Sequence, residues 1–265
     1  MRARSIASIT TAVLGCLAAG CSSASPTPAP AAGATVLTPR VLGEVSHDKG
    51  AFTQGLELAD GVLYEGTGLV GKSQVRAVDP ATGAVQSSVD LPAEMFGEGI
   101  TVVGDRIWQI TWRDGVAVER DRATLAERRR VTYTGEGWGL CHDGGRLVMS
   151  DGTDRLAFRD PGTFAEVGDV RVHDANGPVR NLNELECAGG AVYANVWQTD
   201  RIVRIDPATG AVTAEADLSG LLRPDERANA DVLNGIAAVP GTDEFLVTGK
   251  LWPRLFRIRF DPAAR

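Results

Sequence analysis

The chain has 265 residues, 43% of them apolar, enough to build a folded core. Its formal net charge is −7, and Arg2 and Arg4 sit in an N-terminal segment apart from the rest, so a nucleic-acid partner is excluded: phosphate binding needs a concentrated basic surface. Of the four cysteines only Cys141 and Cys187 fall in the main domain, which is no disulfide framework; a single bridge and a pair of buried free thiols are both open.

Arg2 and Arg4 precede an apolar run from Ile6 to Leu17, closed by Leu17-Ala18-Ala19-Gly20-Cys21. This is an export-signal pattern, and the run is too short to span a bilayer as a stable helix. Small residues directly before a cysteine resemble a bacterial lipobox, which implies lipidation at Cys21. Val13-Leu14-Gly15-Cys16 is a second match, and an ordinary cleaved secretory signal is the alternative. Residues 22–38 are rich in Ser, Pro and Ala and contain no aromatic residue, which reads as a disordered tether. The expected organisation is a signal over residues 1–21, the tether, and one domain over 39–265. The protein is then exported, either held on the outer side of the cytoplasmic membrane through the lipid alone, or periplasmic or secreted.

Within the domain one hairpin recurs five times. The five copies are "GLELADGVLYEGTG", "GITVVGDRIWQITW", "GLCHDGGRLVMSDG", "ELECAGGAVYANVW" and "GIAAVPGTDEFLVTGK". Pairs such as Asp60-Gly61, Gly144-Gly145 and Gly189-Gly190 between alternating apolar runs are hairpin turns. A second series keeps the same period: Asp79-Pro80-Ala81-Thr82-Gly83-Ala84-Val85 recurs as Asp206 to Val212, with weaker copies at Asp121, Asp160 and Asp261. Four strands per unit, repeated every ~40–50 residues, predict an all-β fold, a five-bladed β-propeller of four-stranded blades. The fifth unit lacks its last strand, and the segment from Arg40 to His47 is expected to supply it, closing the ring and removing two sheet edges. Asp217 to Leu233 is long enough for one helical turn over a face.

Gln54, Glu98, Trp138, Asn183 and Asn234 occupy the same place in the five units. At the starts of innermost strands they would ring one mouth of the channel. The second strands return there carrying Glu65 and Thr67, Thr111 and Trp112, Ser150 and Asp151, Asn195 and Trp197, and Lys250 and Trp252. One such polar residue is most simply a strand end satisfied, and one tryptophan a core filler. A carboxylate, an ammonium, three carboxamides and several tryptophans converging on one mouth describe a working pocket.

The strings "FTQGL", "YEGTGL", "FGEGI", "ITW", "GWGL", "SDG", "LNELE", "ANVW", "NGIA" and "TGK-W", in order over almost the whole domain, resemble the plant and bacterial type of glutaminyl-peptide cyclotransferase. The resemblance implies a five-bladed propeller that converts an N-terminal glutamine of peptides or proteins to pyroglutamate with release of ammonia, with neither a cofactor nor a catalytic metal. It carries functional roles onto Phe52, Gln54, Glu98, Trp138, Asn183, Trp197 and Lys250. Gly66 and Cys141 depart from the family pattern, which favours serine after Tyr-Glu and a hydroxyl residue after "GWGL".

The chemistry suits these residue types. The substrate's own α-amine attacks its side-chain amide carbon, so the enzyme supplies no nucleophile; it orients the chain and helps a poor leaving group depart. Glu98 is expected to take the amine proton and pass it to the departing nitrogen, with its pKa raised by burial against Phe96 and the tryptophans and offset by Lys250. Lys250, with Gln54 or Asn183, would hold the amide oxygen. Trp138, Trp197 and Phe52 would wall off water, while Trp112 and Asn234 join the substrate-binding set on the repeat alone. His47, His142 and His173 lack zinc-ligand spacing and read as surface residues, and neither a Gly-x-Ser-x-Gly elbow nor a cysteine paired with a base is present. Two alternatives stay open: a calcium-dependent propeller hydrolase, lactonase-like, using Glu98, Asp151, Asn183 and Asn234, and a non-catalytic propeller that binds peptides. A monomer is expected.

Overall fold

The short alternating runs separated by Gly- and Asp-containing turns fold as antiparallel meanders. The computed structural model describes residues 33–263, so the expected signal segment, Cys16 and Cys21 lie outside the described residues. Strand β1 is Thr35–Ser46. The first meander is β2 (Thr53–Ala59), β3 (Val62–Thr67), β4 (Gln74–Val78) and β5 (Val85–Asp90); the second is β6 (Gly97–Val103), β7 (Arg106–Thr111), β8 (Val116–Asp121) and β9 (Glu127–Thr132). The third is β10 (Leu140–His142), β11 (Leu147–Ser150), β12 (Arg155–Arg159) and β13 (Glu166–Arg171), followed by a small ribbon, β14 (His173–Asp174) and β15 (Gly177–Pro178). The fourth is β16 (Leu182–Ala188), β17 (Ala191–Val196), β18 (Arg201–Ile205) and β19 (Val212–Asp217). After a single four-residue helix, Pro224–Arg227, come β20 (Leu233–Ala238), β21 (Glu244–Gly249) and β22 (Arg254–Pro262). Among the described residues no helix is long and apolar enough to cross a membrane.

The first strands of the meanders pack in the circular order β2, β6, β10, β16, β20 and back to β2, and β2 also touches β16. They are buried along most of their length, whereas the fourth strands β5, β9 and β13 are exposed. Strand β19 is the exception, with alternate residues buried, because β1 runs parallel along its edge from Thr35 to Leu37. Strand β1 then pairs antiparallel with β22 from Leu37 opposite Pro262 to Ser46 opposite Arg254. It starts at Thr35, inside the segment read from sequence as tether, since those first residues find a sheet edge to join.

The Asp-Pro-Ala-Thr-Gly repeat has a mechanical reason. Asp79 and Asp206 each accept the backbone N–H two residues on, and the glycine that follows takes a left-handed φ of +74° at Gly83 and +77° at Gly210. A Cβ would lie 1.8 Å from the Ser46 carbonyl oxygen at Gly83 and 2.0 Å from that of Arg171 at Gly210, so the turns dock on the end of the preceding fourth strand. In the weaker copies the same left-handed position holds Leu125 and Phe164, both buried. Their core burial offsets the backbone cost.

His47 is not a surface residue: its side chain is 4% exposed. At the end of β1, Nδ1 donates to the Trp252 carbonyl (2.8 Å) and Nε2 to Glu65 Oε1 (3.0 Å), while Thr53 also donates to Glu65. Burial alone would lower the His47 pKa, but the Glu65 carboxylate and the Trp252 carbonyl outweigh it and the net shift is upward. Burial would likewise raise Glu65, yet His47 and Arg76 hold it below its ordinary value. Glu65, expected at the mouth, is thus committed to joining β1 to the first and last meanders. The pair stabilises the fold above the depressed Glu65 pKa and below the raised His47 pKa. His47→Ala is expected to cost about 3 kcal/mol near pH 6, with the difference from wild type shrinking as pH rises through the His47 titration, as followed by denaturant unfolding.

Cys141 on β10 and Cys187 on β16 form a disulfide with Cα atoms 5.4 Å apart, which settles the open question about the thiols and ties the third meander to the fourth. Closing a loop over a separation of 46 residues constrains the unfolded chain by about 4 kcal/mol. Cys141→Ser with Cys187→Ser is expected to lower Tm by roughly 10 °C in a calorimetric scan, without loss of the fold.

Candidate active site

The innermost strands approach so closely that the residue following Gln54, Glu98 or Trp138 has no room for a side chain. A Cβ on Gly99 would lie 2.7 Å from the Leu140 nitrogen, and one on Gly139 would lie 2.0 Å from the Asn183 carbonyl oxygen. The Gly99 N–H donates to the Trp138 carbonyl (2.8 Å), so Glu98 and Trp138 are fixed relative to each other by the backbone. The fourth unit departs from this rule. Asn183 is followed by Glu184, whose carboxylate accepts from the Leu56 N–H (3.1 Å) and the Ile236 N–H (2.8 Å), bridging β2 and β20 across the axis.

A cavity of about 550 Å³ opens at this end, lined by Phe52, Gln54, Phe96, Glu98, Trp112, Arg113, Glu136, Trp138, Asn183, Trp197, Gln198, Asp231, Val232 and Lys250. It brings together all the expected catalytic and substrate-binding residues except Asn234. Asn234 is fully buried and donates through Nδ2 to the Thr53 carbonyl (3.0 Å) and to Gln54 Oε1 (3.2 Å). Gln54 in turn donates to Glu98 Oε1 at 3.1 Å. Asn234 therefore stands behind Gln54 and orients it, its amide held by the Thr53 carbonyl and Gln54 instead of lining the cavity. Trp252 is likewise removed from the mouth: it is fully buried in the core and its Nε1 donates to the Asp231 carbonyl (2.9 Å). Asp151 faces away, its Oδ1 accepting from the Thr153 N–H and hydroxyl, so the calcium set of Glu98, Asp151, Asn183 and Asn234 does not assemble.

Glu98 is 5% exposed, and its Oε2 makes no hydrogen bond among the described residues. Burial drives its pKa well above the usual carboxylate range; the Lys250 ammonium opposes this and the Glu136 carboxylate adds to it. Lys250 is lowered by burial, with Glu98 and Asp231 pulling the other way. Its Nζ lies 4.8 Å from the Phe52 ring centroid, a cation–π contact. The backbone of Lys250 is pinned on both sides, its N–H donating to Val232 O and its carbonyl accepting from Asp231 N (2.9 Å each). Asn183 Oδ1 also lacks a protein partner.

The walls are aromatic. Trp138 and Trp197 meet edge to face at 5.4 Å, and Phe52, Phe96 and Trp112 form a second train at 6.3 and 5.5 Å. Glu136 was missed by the sequence reading: its Oε2 accepts both indole N–H groups, Trp112 at 2.8 Å and Trp138 at 3.0 Å. Its place beside "GWGL" was the only available signal. Also unforeseen are the buried carboxylates Glu57, Glu184 and Glu186 on the innermost strands; burial raises all three, Glu57 to about 7.

The arrangement can bind a short uncharged side chain among indoles, hold an amide oxygen with an ammonium and carboxamides, and move a proton on one carboxyl group. Comparison with known proteins points the same way. A glutaminyl-peptide cyclotransferase of Arabidopsis thaliana is 42% identical over 231 residues, covering 84% of this chain and 72% of that protein. The crystal structure of Myxococcus xanthus glutaminyl cyclase superposes with a TM-score of 0.79 at 37% identity, covering 87% of this chain and 100% of that one. Residues 11–260 match the glutamine cyclotransferase family as a whole, and the chain belongs to that family.

Proposed function

We propose that the chain is a glutaminyl-peptide cyclotransferase in which Glu98 carries the transferred proton. The observation that carries this reading is a buried carboxyl oxygen, Glu98 Oε2, without a protein partner, at a cavity lined by Gln54, Asn183, Lys250 and three indoles. The substrate's neutral α-amine forms a bond to its own side-chain amide carbon. The attacking nitrogen gives a proton to Glu98, which passes it to the departing nitrogen; the carbon–nitrogen bond breaks, and ammonia leaves with pyroglutamate formed. A free α-amine has a pKa of ~8, so part of it is already neutral near pH 7. Expelling nitrogen as ammonia is the harder step, and a carboxyl group whose pKa is raised towards the working pH can both take up a proton there and give it to the leaving nitrogen. Lys250 and Asn183 stabilise the amide oxygen as charge develops, Gln54 holds Glu98 in register, and Phe52, Trp112, Trp138 and Trp197 exclude water.

The same reading takes the meanders as the five blades of a β-propeller. It is supported by the circular order of the innermost strands and by the pairing of β1 with β22, which makes β1 the fourth strand of the last blade. It also places the enzyme outside the cytoplasm as a monomer lipidated at Cys21, supported by the small residues before Cys21 and by the disulfide.

Glu98→Gln is expected to lower kcat by about 10²–10⁴-fold with a small change in KM, measured as ammonia release from a Gln-initiated dipeptide; wild-type turnover in this variant would remove Glu98 from the mechanism. In the wild type, kcat/KM should rise with pH as Glu98 ionises through its raised pKa, because only the carboxylate accepts the amine proton, and the residual activity of Glu98→Gln should lack that limb. Lys250→Met is expected to lose kcat by about 10²-fold.

A further inference from the structure

Glu136 sits at the cavity rim with its side chain 36% exposed, too open for its carboxylate to be a core element. Yet all of its hydrogen bonds are to the site's own walls. Oε2 takes the indole N–H of Trp112 from the second meander and that of Trp138 from the start of the third. Oε1 takes the Arg113 Nε–H at 2.9 Å, and the Arg113 guanidinium carbon lies over the Trp112 ring, 3.9 Å from its centroid. Two indoles from different meanders thus share one acceptor, and the stacked arginine keeps that acceptor ionised and aimed. An exposed ion pair alone contributes little, but two indole N–H groups on one oxygen set the angle between the walls.

We propose that Glu136 is a positioning residue that fixes the Trp112 and Trp138 walls against each other and places a negative charge on the wall of the same cavity that Glu98 lines. The inference rests on the cyclotransferase reading above. The titratable groups that act on Glu98, among the described residues, are Lys250 from the end of β21, Glu136 from the connection between β9 and β10, and Tyr133 just after β9. Arg113 partly neutralises Glu136, and Asp231 partly neutralises Lys250. Strand β2 presents only the uncharged Gln54. Burial is the main force on Glu98, Lys250 stabilises its carboxylate and Glu136 destabilises it. Glu136 would therefore keep Glu98 basic enough to accept the amine proton despite the nearby ammonium.

The test is steady-state ammonia release from a Gln-initiated dipeptide across the acid-to-alkaline range, for wild type, Glu136→Ala, Glu136→Gln and Arg113→Ala. Glu136→Ala strands both indoles and is expected to raise KM on the order of tenfold. Glu136→Gln keeps a carbonyl oxygen for the indoles but removes the charge, so KM stays within about threefold. Its acid limb of kcat/KM moves to lower pH. Arg113→Ala leaves the Glu136 charge less neutralised and moves that limb to higher pH. A wild-type KM in Glu136→Ala, or an unmoved acid limb in both Glu136→Gln and Arg113→Ala, overturns the proposal. If wild type itself releases no ammonia, the cyclotransferase reading has failed; normal wild-type turnover with unresponsive variants is a failure of the Glu136 proposal alone.

Discussion

The site depends on how closely five strands can be brought around one axis. Where Gly99 passes the Leu140 nitrogen and Gly139 passes the Asn183 carbonyl, any side chain would force the strands apart. That proximity lets the backbone of one meander hydrogen-bond the next, as Gly99 does to Trp138, so mouth residues are placed by main chain and not by flexible side chains. It also removes water. Burial is then the leading influence on Glu98, Lys250 and Glu184 alike, and a proton carrier with a raised pKa follows from the packing.

Inside this dry ring, charge is handled by pairing across units. Glu184 supplies two acceptors to amides of β2 and β20 that have no neighbour in their own sheets. His47 and Glu65 do the equivalent work at the junction where β1 joins the first and last meanders. In each case a buried ionisable group links segments distant in sequence, and its removal would leave the partner uncompensated. The disulfide, the β1 pairing and the His47–Glu65 contact fall at three different joints of the ring.

How much of this was legible in the sequence follows from the same geometry. Repeats report main-chain requirements, so the hairpins, the Asp-Pro-Ala-Thr-Gly turn and the mouth positions Gln54, Glu98, Trp138 and Asn183 could be read from spacing. Roles that arise between units leave no periodic trace. His47 looked like a surface histidine because Glu65 is its partner only after the N-terminal strand has crossed to the last meander. Glu136 resembled a solvated charge between two glycines, and nothing local says that Trp112 will meet it. Asn234 has the same place in its repeat as Glu98, yet the Thr53 carbonyl and Gln54 draw its amide inward, turning an expected substrate contact into a support.

Of the buried polar atoms left without a partner among the described residues, two belong to side chains that line the cavity. Glu98 Oε2 and Asn183 Oδ1 face the cavity without protein hydrogen bonds, and buried polar groups left so cost about 1–3 kcal/mol each. Both are acceptors. An N-terminal glutamine brings amine and amide N–H donors to the same place, so binding would satisfy what folding leaves open. A ring of main-chain contacts, a disulfide and a buried ion pair hold that configuration against collapse, and stability held in the joints of the ring offsets the local cost at its mouth.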